Sequence, residues 1–302
     1  MKQLIKNIYR KIIPVSIRKG ISICRQPRYL KKLRKDIIKY YSNLDKDDLN
    51  LEQSEVLGYL KKNPIQVFPY DYVSNYDPDK IEVFFDDKIG LSYVFLNGKR
   101  LYLKRSWREK EIKNFYCAMQ TEQDINSPHQ YFSENFFVEN GDIVVDVGTA
   151  EGNFSLSIVE KARKIYLFEI DKEWIEALKA TFEPWKEKVE IINKFVSREN
   201  DEKNITLDTF FRDKEQINFL KIDVDGVEAD LLKGCEEILN LKKSIKIALC
   251  TYHKQNDEKD FTLLLKNKGF NVSPSKGYII FYTNIDEMRE PYLRRGLIRA
   301  NK

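Results

Sequence analysis

The sequence predicts an α/β fold whose centre is a doubly wound, mostly parallel sheet with an antiparallel final strand. From residue 142 onwards, short apolar runs alternate with helical runs of roughly 10 to 13 residues, as in parallel strands joined by crossover helices. The last two strand-like runs, FNVSPS and GYIIFYTN, are too close in sequence for a crossover and are therefore predicted to be antiparallel. Upstream, Asn97-Gly98 between two β-rich runs predicts a small β-hairpin element, because both turn residues take positive φ.

The predicted elements follow each other in a regular order. Helical sequence over residues 28–62 and 108–120 precedes the sheet. The first five strands of the sheet are predicted in the runs DIVVDVG, KIYLFEI, VEIINKFVS, INFLKIDV and SIKIALCTY. The helices between them are predicted in NFSLSIVEKA, KEWIEALKATF, VEADLLKGCEEIL and DEKDFTLLLKNKG, with Gly234 kinking the third.

Four segments are predicted along the chain. They are a basic helical N-terminal arm (1–62), a small β/α pre-domain with a lid segment (63–130), the main α/β domain (131–285) and a basic C-terminal tail (286–302). His129 lies in the lid segment, where it either closes over a ligand or makes a structural hydrogen bond.

Composition excludes several classes of protein. With 42% hydrophobic residues, 12 glycines and 9 prolines, the 302-residue chain is neither disordered throughout nor collagen-like. The four cysteines form no CxxC pair, which favours reduced thiols and a cytoplasmic protein over a disulfide scaffold or a zinc ribbon. The sequence contains no run of 18 consecutive apolar residues, so it predicts no membrane-spanning helix.

Charge is concentrated at the N-terminus. Residues 1–39 carry 13 Lys or Arg and one acidic residue, a net charge of +12, whereas the rest of the chain is at −7. Ile5, Ile8, Tyr9 and Ile12 fall on one face of a helix that Pro14 should end. Two interpretations stay open: a peripheral contact with the anionic inner face of a membrane, or an apolar stripe that packs on the body. The acidic body argues against a nucleic-acid partner.

The first strand of the sheet leads into a glycine turn, VVDVGTAEGNFSL. Gly148 and Gly152 let the backbone approach a ligand closely, and the helix from Asn153 presents its positive end to it. This spacing is not GxGxxG, and Asp146 and Glu151 would repel a pyrophosphate. A ligand with positive charge, such as S-adenosylmethionine (SAM), fits better.

The second strand ends at Glu169, about 20 residues beyond the turn, where a carboxylate accepts hydrogen bonds from ribose hydroxyls. Asp171 is predicted as the N-cap of the next helix. Together the two strand ends predict an adenosine-containing cofactor.

The fourth and fifth strands end in candidate catalytic residues. Asp223 follows the fourth strand, and Asp225 and Glu228 come just after it. These three carboxylates either bind a divalent metal or stabilise a helix start. His253 follows the fifth strand, either as a general base for an attacking hydroxyl or as an ordinary strand-end histidine.

These motifs resemble the FkbM-type family of class I SAM-dependent methyltransferases, which have a Rossmann-like fold. The resemblance covers about residues 140–285. Its most specific part is the run Lys221, Ile222, Asp223, Gly226 and Glu228, followed by Leu232-Lys233-Gly234. Glu151 stands where the family commonly has Asn, and Ile170 where it commonly has Pro.

The resemblance implies O-methylation of hydroxyls on sugars or glycans, in surface polysaccharide or natural-product pathways. It implies that Asp146, Gly148 and Gly152 line the methionine part of SAM and that Glu169 holds the ribose. Asp223 and His253 would face the acceptor.

Three other functions stay open at this point. An NAD-dependent oxidoreductase should show GxGxxG, an RNA methyltransferase would use the basic arm, and a SAM-binding interaction module would keep the fold without catalysis. The acceptor, the metal dependence and the oligomeric state, including a homo-oligomer, are not decided by the sequence.

Overall fold

The computed structural model describes residues 27–241, 244–282 and 288–302, so the predicted basic helix at Ile5–Ile12 lies outside the described residues. The chain divides into two compact, interleaved units. The first comprises the described residues up to Ile81 together with Lys110–Gln130 and Lys276–Gly296, and the second comprises Glu82–Glu109, Tyr131–Ser275 and Leu297–Lys302. Among the described residues, no helix combines the length and apolar character needed to cross a bilayer.

The first unit is built mainly from helices. They are α1 (Pro27–Ser42), α2 (Leu51–Lys62) and most of α3 (Glu109–Glu122), so the helical sequence predicted over 28–62 is interrupted between two helices. Helix α1 buries Leu33, Ile37 and Tyr41, which recur every four residues and therefore share one face. Helix α2 begins at a capping box, in which Asn50 accepts from the Gln53 N–H and the Gln53 side chain accepts from the Asn50 N–H.

The second unit contains three sheets. A small antiparallel sheet has the order β1-β2-β3, the main sheet has the order β11-β12-β10-β9-β4-β5-β6, and β7 pairs with β8. The strands are β1 (Phe84–Asp86), β2 (Leu91–Leu96), β3 (Lys99–Tyr102), β4 (Ile143–Val147), β5 (Lys164–Phe168), β6 (Val189–Ile192), β7 (Phe195–Val196), β8 (Asn204–Ile205), β9 (Phe219–Ile222), β10 (Lys246–Cys250), β11 (Asn271–Pro274) and β12 (Leu297–Asn301). The predicted hairpin is confirmed: Asn97 and Gly98, with φ of 51° and 76°, join β2 to β3.

Helices connect the strands of the main sheet. They are α4 (Asn153–Ile158), α5 (Lys172–Thr181), α6 (Leu207–Phe211), α7 (Glu228–Lys233), α8 (Glu236–Asn240) and α9 (Asp257–Asn267). The helix predicted across Gly234 is broken there into α7 and α8. Asp171 is the N-cap of α5, as predicted, and its side chain accepts from the Glu173 N–H.

The main sheet confirms the predicted fold class. Strands β5 and β6 lie on one side of β4, whereas β9 and β10 lie on the other, and all these pairings are parallel. The strand order therefore reverses between β4 and β9, and ligands of doubly wound sheets bind at the carboxyl ends of the strands at such a reversal. The central strands are mostly apolar because both faces are covered, and Val144, Leu220 and Ile247 have no exposed surface.

The identity of the last strand was predicted wrongly. Its antiparallel orientation is confirmed, but the strand is β12, which lies between β10 and β11, and not the run GYIIFYTN. In that run, Ile279 pairs with Arg294 and the Ile280 N–H donates to Val67 O, all within the first unit. Residues 279–282 of this run are apolar because they are buried there. Residues 297–301 were predicted as part of a basic tail, and they form a strand of the sheet instead.

Candidate functional site

The glycine turn follows β4 at the point where the strand order reverses. Gly148, Ala150 and Gly152 have φ of 75°, 50° and 83°, and α4 begins directly afterwards. A Cβ placed on Gly148 would lie 2.0 Å from the carbonyl oxygen of Asp223, so the turn runs against the end of β9. Both glycines that the sequence singles out therefore occupy the left-handed region that favours glycine.

Asp146 is completely buried, with an ion pair at one carboxylate oxygen and a hydrogen bond at the other. It faces Lys221 across the β4–β9 pairing, with Lys221 Nζ 2.9 Å from Oδ1, and Ser155 Oγ donates to Oδ2 at 2.7 Å. Lys221 Nζ also donates to Gly148 O at 2.7 Å. Burial of Lys221 opposes its charged form, but the neighbouring carboxylates raise its pKa above the ordinary value. The Asp146 charge is thus matched inside the protein, and the pair holds the glycine turn against β9.

Glu169 ties the end of β5 to the glycine turn. Its Oε2 accepts from the Ala150 N–H at 2.8 Å, and its Oε1 accepts from the N–H groups of Ile170 and Asp171, each at 2.8 Å. Burial raises the pKa of Glu169, although these three N–H groups lower it. A carboxylate has about four acceptor positions, and these contacts use three of them. One position on Oε2 therefore suits a ribose hydroxyl.

Two tyrosine hydroxyls converge on Asp223, just after β9. Tyr131 Oη donates to Oδ2 and Tyr252 Oη donates to Oδ1, each at 3.2 Å. Sequence reasoning placed Asp223 here but missed both tyrosines. Tyr252 directly precedes His253 at a strand end and could have been found on that ground, whereas Tyr131 precedes β4 by more than ten residues and carries no such signal.

His253 is buried beside three carboxylates. Its Nδ1 lies 2.8 Å from Glu228 Oε1, and its Nε2 lies 3.8 Å from Asp223 Oδ1 and 3.6 Å from Asp225 Oδ1. Burial of the ring opposes the charged form, but the neighbouring carboxylates, led by Glu228, raise the pKa of His253 to about 10. An imidazole with this pKa holds its proton at neutral pH, and the predicted general-base role needs that proton to be displaced.

The three metal-ligand candidates from the sequence all border His253. Asp223, Glu228 and His253 each offer one ligand atom, and these atoms lie within 4.8 Å of one another. The side chain of Asp225 is 58% exposed and that of Glu228 only 1%, so the cluster has one buried side and one side open to solvent.

Glu151 and His129 complete the predicted set. Glu151 is buried within the glycine turn. His129 belongs to the first unit, where its Nδ1 lies 3.2 Å from Glu122 Oε1 and 3.1 Å from Gln123 Nε2.

The reversal of strand order, the glycine turn and the acidic residue after β5 define a Rossmann-like protein with a nucleoside-containing cofactor. The family described as "Methyltransferase FkbM domain" matches residues 113–290, more than half of the chain. The chain belongs to this family of methyltransferases. The resemblance seen in the sequence is confirmed, and the NAD-dependent oxidoreductase is set aside.

Some solved structures are similar to this chain at low sequence identity. A methyltransferase FkbM from Methylobacillus flagellatus is 13% identical, with a TM-score of 0.46, and the match covers 84% of this chain and 66% of that one, just under two thirds. Trm5b from Pyrococcus abyssi is 17% identical over 72% of this chain and 56% of its own, with a TM-score of 0.39. A Streptococcus mutans protein in complex with S-adenosylhomocysteine (SAH) is 16% identical over 55% and 90%, with a TM-score of 0.35. None of the curated proteins matches the sequence.

Proposed function

We propose that this protein transfers the methyl group of SAM to a hydroxyl of a sugar or glycan, as a step in making a surface polysaccharide or a natural product. The observation that carries the proposal is the surroundings of Asp223. Its carboxylate follows the strand next to the glycine turn, and two tyrosine hydroxyls and the imidazole of His253 lie around it. Such a group of hydrogen-bonding side chains suits a polyhydroxylated acceptor.

The cofactor lies along the glycine turn in this proposal. Gly148, Glu151, Gly152 and Asn153 border the methionine part, and Glu169 accepts one ribose hydroxyl through Oε2. Asp146 acts through Lys221 by fixing the position of the turn.

The residues of the chain mainly have to align the acceptor. SAM supplies an already activated methyl group, so holding the acceptor oxygen in line with it can contribute about 7–11 kcal/mol. In this proposal Asp223 accepts the proton of the acceptor hydroxyl, because the carboxylates beside both nitrogens of His253 raise the pKa of that imidazole and favour its protonated form. Tyr131 and Tyr252 hold the Asp223 carboxylate in one orientation.

Methyl transfer to glycans tests this function directly. Incubation with isotope-labelled SAM and a panel of oligosaccharides is expected to give a product heavier by one labelled methyl group, detected by mass spectrometry. Asp223→Asn should lower the rate by about 100-fold, since a positioned proton acceptor contributes about 100- to 10,000-fold. The affinity for SAH should change far less. The exposed Asp213→Asn is the matched control and should retain the wild-type rate.

Two outcomes would contradict the proposal. One is methylation of RNA, with no sugar accepted under the same conditions. The other is full activity of the Asp223→Asn protein.

The ribose contact has its own test. Glu169→Gln should weaken SAH binding by about 10-fold, because a hydrogen bond to a charged group contributes roughly 1.5–3 kcal/mol and the amide retains part of it. Calorimetry with an SAH analogue that lacks the ribose hydroxyls provides the control. The wild-type protein should discriminate strongly between SAH and this analogue, and the variant should discriminate less. Equal discrimination by both proteins would show that Glu169 does not bind the ribose.

A further inference from the structure

We propose that one face of helix α1 docks the protein onto the anionic surface of a lipid membrane. This basic face consists of five exposed side chains, Arg28, Lys31, Lys32, Lys35 and Lys39. It belongs to the first unit and contains none of the residues assigned above to the cofactor or the acceptor. The inference therefore goes beyond the proposed function and can be tested without SAM or a glycan.

The spacing of the five cations places them on one side of α1. In an α-helix with about 3.6 residues per turn, their positions fall within an arc of about 100°. The buried side chains of the helix, Leu33, Ile37 and Tyr41, lie on the opposite side. Helix α1 is therefore amphipathic, with its apolar side buried within the first unit and its basic face in contact with solvent.

Hydrogen bonds within the first unit hold α1 in this orientation. The Arg34 guanidinium donates from Nε to Leu60 O at 2.6 Å and from Nη2 to Lys61 O at 3.1 Å. At the end of the helix, Tyr41 Oη donates to Pro291 O. Arg34 is thus the one cation of α1 that binds the body of the unit, and these bonds keep the other five at the surface.

The charge of the basic face is not neutralised within the part of the chain that the structure describes. None of the five side chains forms an ion pair or a hydrogen bond with a described residue, and Asp36 is the only acidic residue of the helix. Groups of about four to eight Lys or Arg beside a membrane attract anionic lipids, and each cation strengthens binding by about fivefold. The size and the net charge of the basic face match such a surface.

Two features favour lipid headgroups over a nucleic acid as the partner. Four of the five cations are lysines and the face holds no aromatic side chain, whereas nucleic-acid sites commonly use arginine forks and stacked aromatic rings. The sequence that leads into α1, residues 1–26, contains seven Lys or Arg and seven Ile, but no acidic residue. Isoleucines between cations suit the boundary between headgroups and acyl chains, and they offer a nucleic acid no contact of comparable strength.

Vesicle binding by the full-length protein tests the proposal. Wild-type protein is mixed at about 0.15 M salt with vesicles of phosphatidylcholine alone, or of equal parts phosphatidylcholine and phosphatidylglycerol, and bound protein is measured by co-sedimentation. Only the anionic vesicles are expected to bind it. The triple variant Lys31→Gln/Lys32→Gln/Lys35→Gln should bind them about 100-fold more weakly, at about fivefold per lysine. Glutamine preserves helix propensity, so circular dichroism and SAH affinity should not change.

A second triple variant, Lys88→Gln/Lys179→Gln/Lys266→Gln, is the matched control. These three lysines are exposed and lie apart in the second unit, so the variant loses the same net charge without changing α1. It should bind anionic vesicles almost as tightly as the wild-type protein. The proposal is overturned if the wild-type protein does not prefer anionic vesicles, or if the two triple variants bind them equally well.

RNA at the same phosphate concentration distinguishes the other class of polyanion. The wild-type protein should bind the anionic vesicles more tightly than a mixture of cellular RNA. Tighter binding of RNA, lost in the α1 variant and kept in the control, would assign the basic face to a nucleic acid and would overturn the proposed membrane contact. The failure of glycan methylation would contradict the proposed acceptor and would not affect this result.

Discussion

Replacing Lys221 by methionine is expected to lower the free energy of unfolding by about 3–5 kcal/mol, the usual cost of removing one partner from a buried ion pair. Lys221 and Asp146 are 4% and 0% exposed, so the Asp146 carboxylate would stay buried without its counter-ion. Urea unfolding measures the loss, and hydrogen exchange of β4 and β9 peptides shows that it arises at this pairing.

An exposed pair provides the comparison. Arg163 and Glu215 also form an ion pair, but their side chains are 54% and 62% exposed, so Arg163→Met should cost no more than about 1 kcal/mol. Adding Asp146→Asn to Lys221→Met should recover part of the stability, because the unpaired charge is removed. A loss at Lys221 as small as that at Arg163, or no recovery in the double variant, would show that the buried pair does not hold the two strands.

Gly148→Ala is expected to cost about 2 to 5 kcal/mol and to abolish SAH binding. The left-handed backbone costs an alanine about 1–2 kcal/mol, and overlap in a packed region adds about 1–3 kcal/mol. The new Cβ would lie 2.0 Å from a backbone carbonyl, that of Asp223, which no change of side-chain rotamer relieves. Thermal unfolding and SAH calorimetry measure the two effects.

Comparison with Gly98→Ala separates the steric part of this loss from the conformational part. Its φ of 76° is nearly that of Gly148 at 75°, but a Cβ there has no atom within 4 Å. Gly98→Ala should therefore show only the conformational cost and should bind SAH normally. Equal losses in the two variants would mean that the close approach of the turn to β9 is unimportant.

Much of the sheet could be predicted because strands that are buried on both faces appear in the sequence as continuous apolar runs. Strands β4, β5, β9 and β10 are almost uncharged runs between helices, and Asn97-Gly98 specifies its hairpin by backbone conformation alone. Strand β12 could not be predicted in this way. An apolar run indicates burial but not which unit buries it, so the sequence predicts a strand in GYIIFYTN and gives no comparable signal for the short LIRAN.

The site shows the same limit. The rule that ligands bind at the carboxyl ends of strands brought Glu169, Asp223 and His253 to one edge of the sheet. It did not show that Asp146 faces Lys221, since that depends on the register between β4 and β9, which a single sequence does not reveal. The hydroxyl of Tyr131 contacts Asp223 across 92 residues of sequence, and a single sequence does not reveal such a long-range contact either. The contact of residues 1–39 with an anionic membrane stays a prediction.

The interleaving of the two units limits how this protein can be taken apart or recombined. The chain passes between them after residues 81, 109, 130, 275 and 296. No single cut separates one from the other, and no continuous gene fragment encodes either alone. Exchange of a whole unit between homologous genes would need several simultaneous joins, so new acceptor specificity would arise by point substitution rather than by domain shuffling.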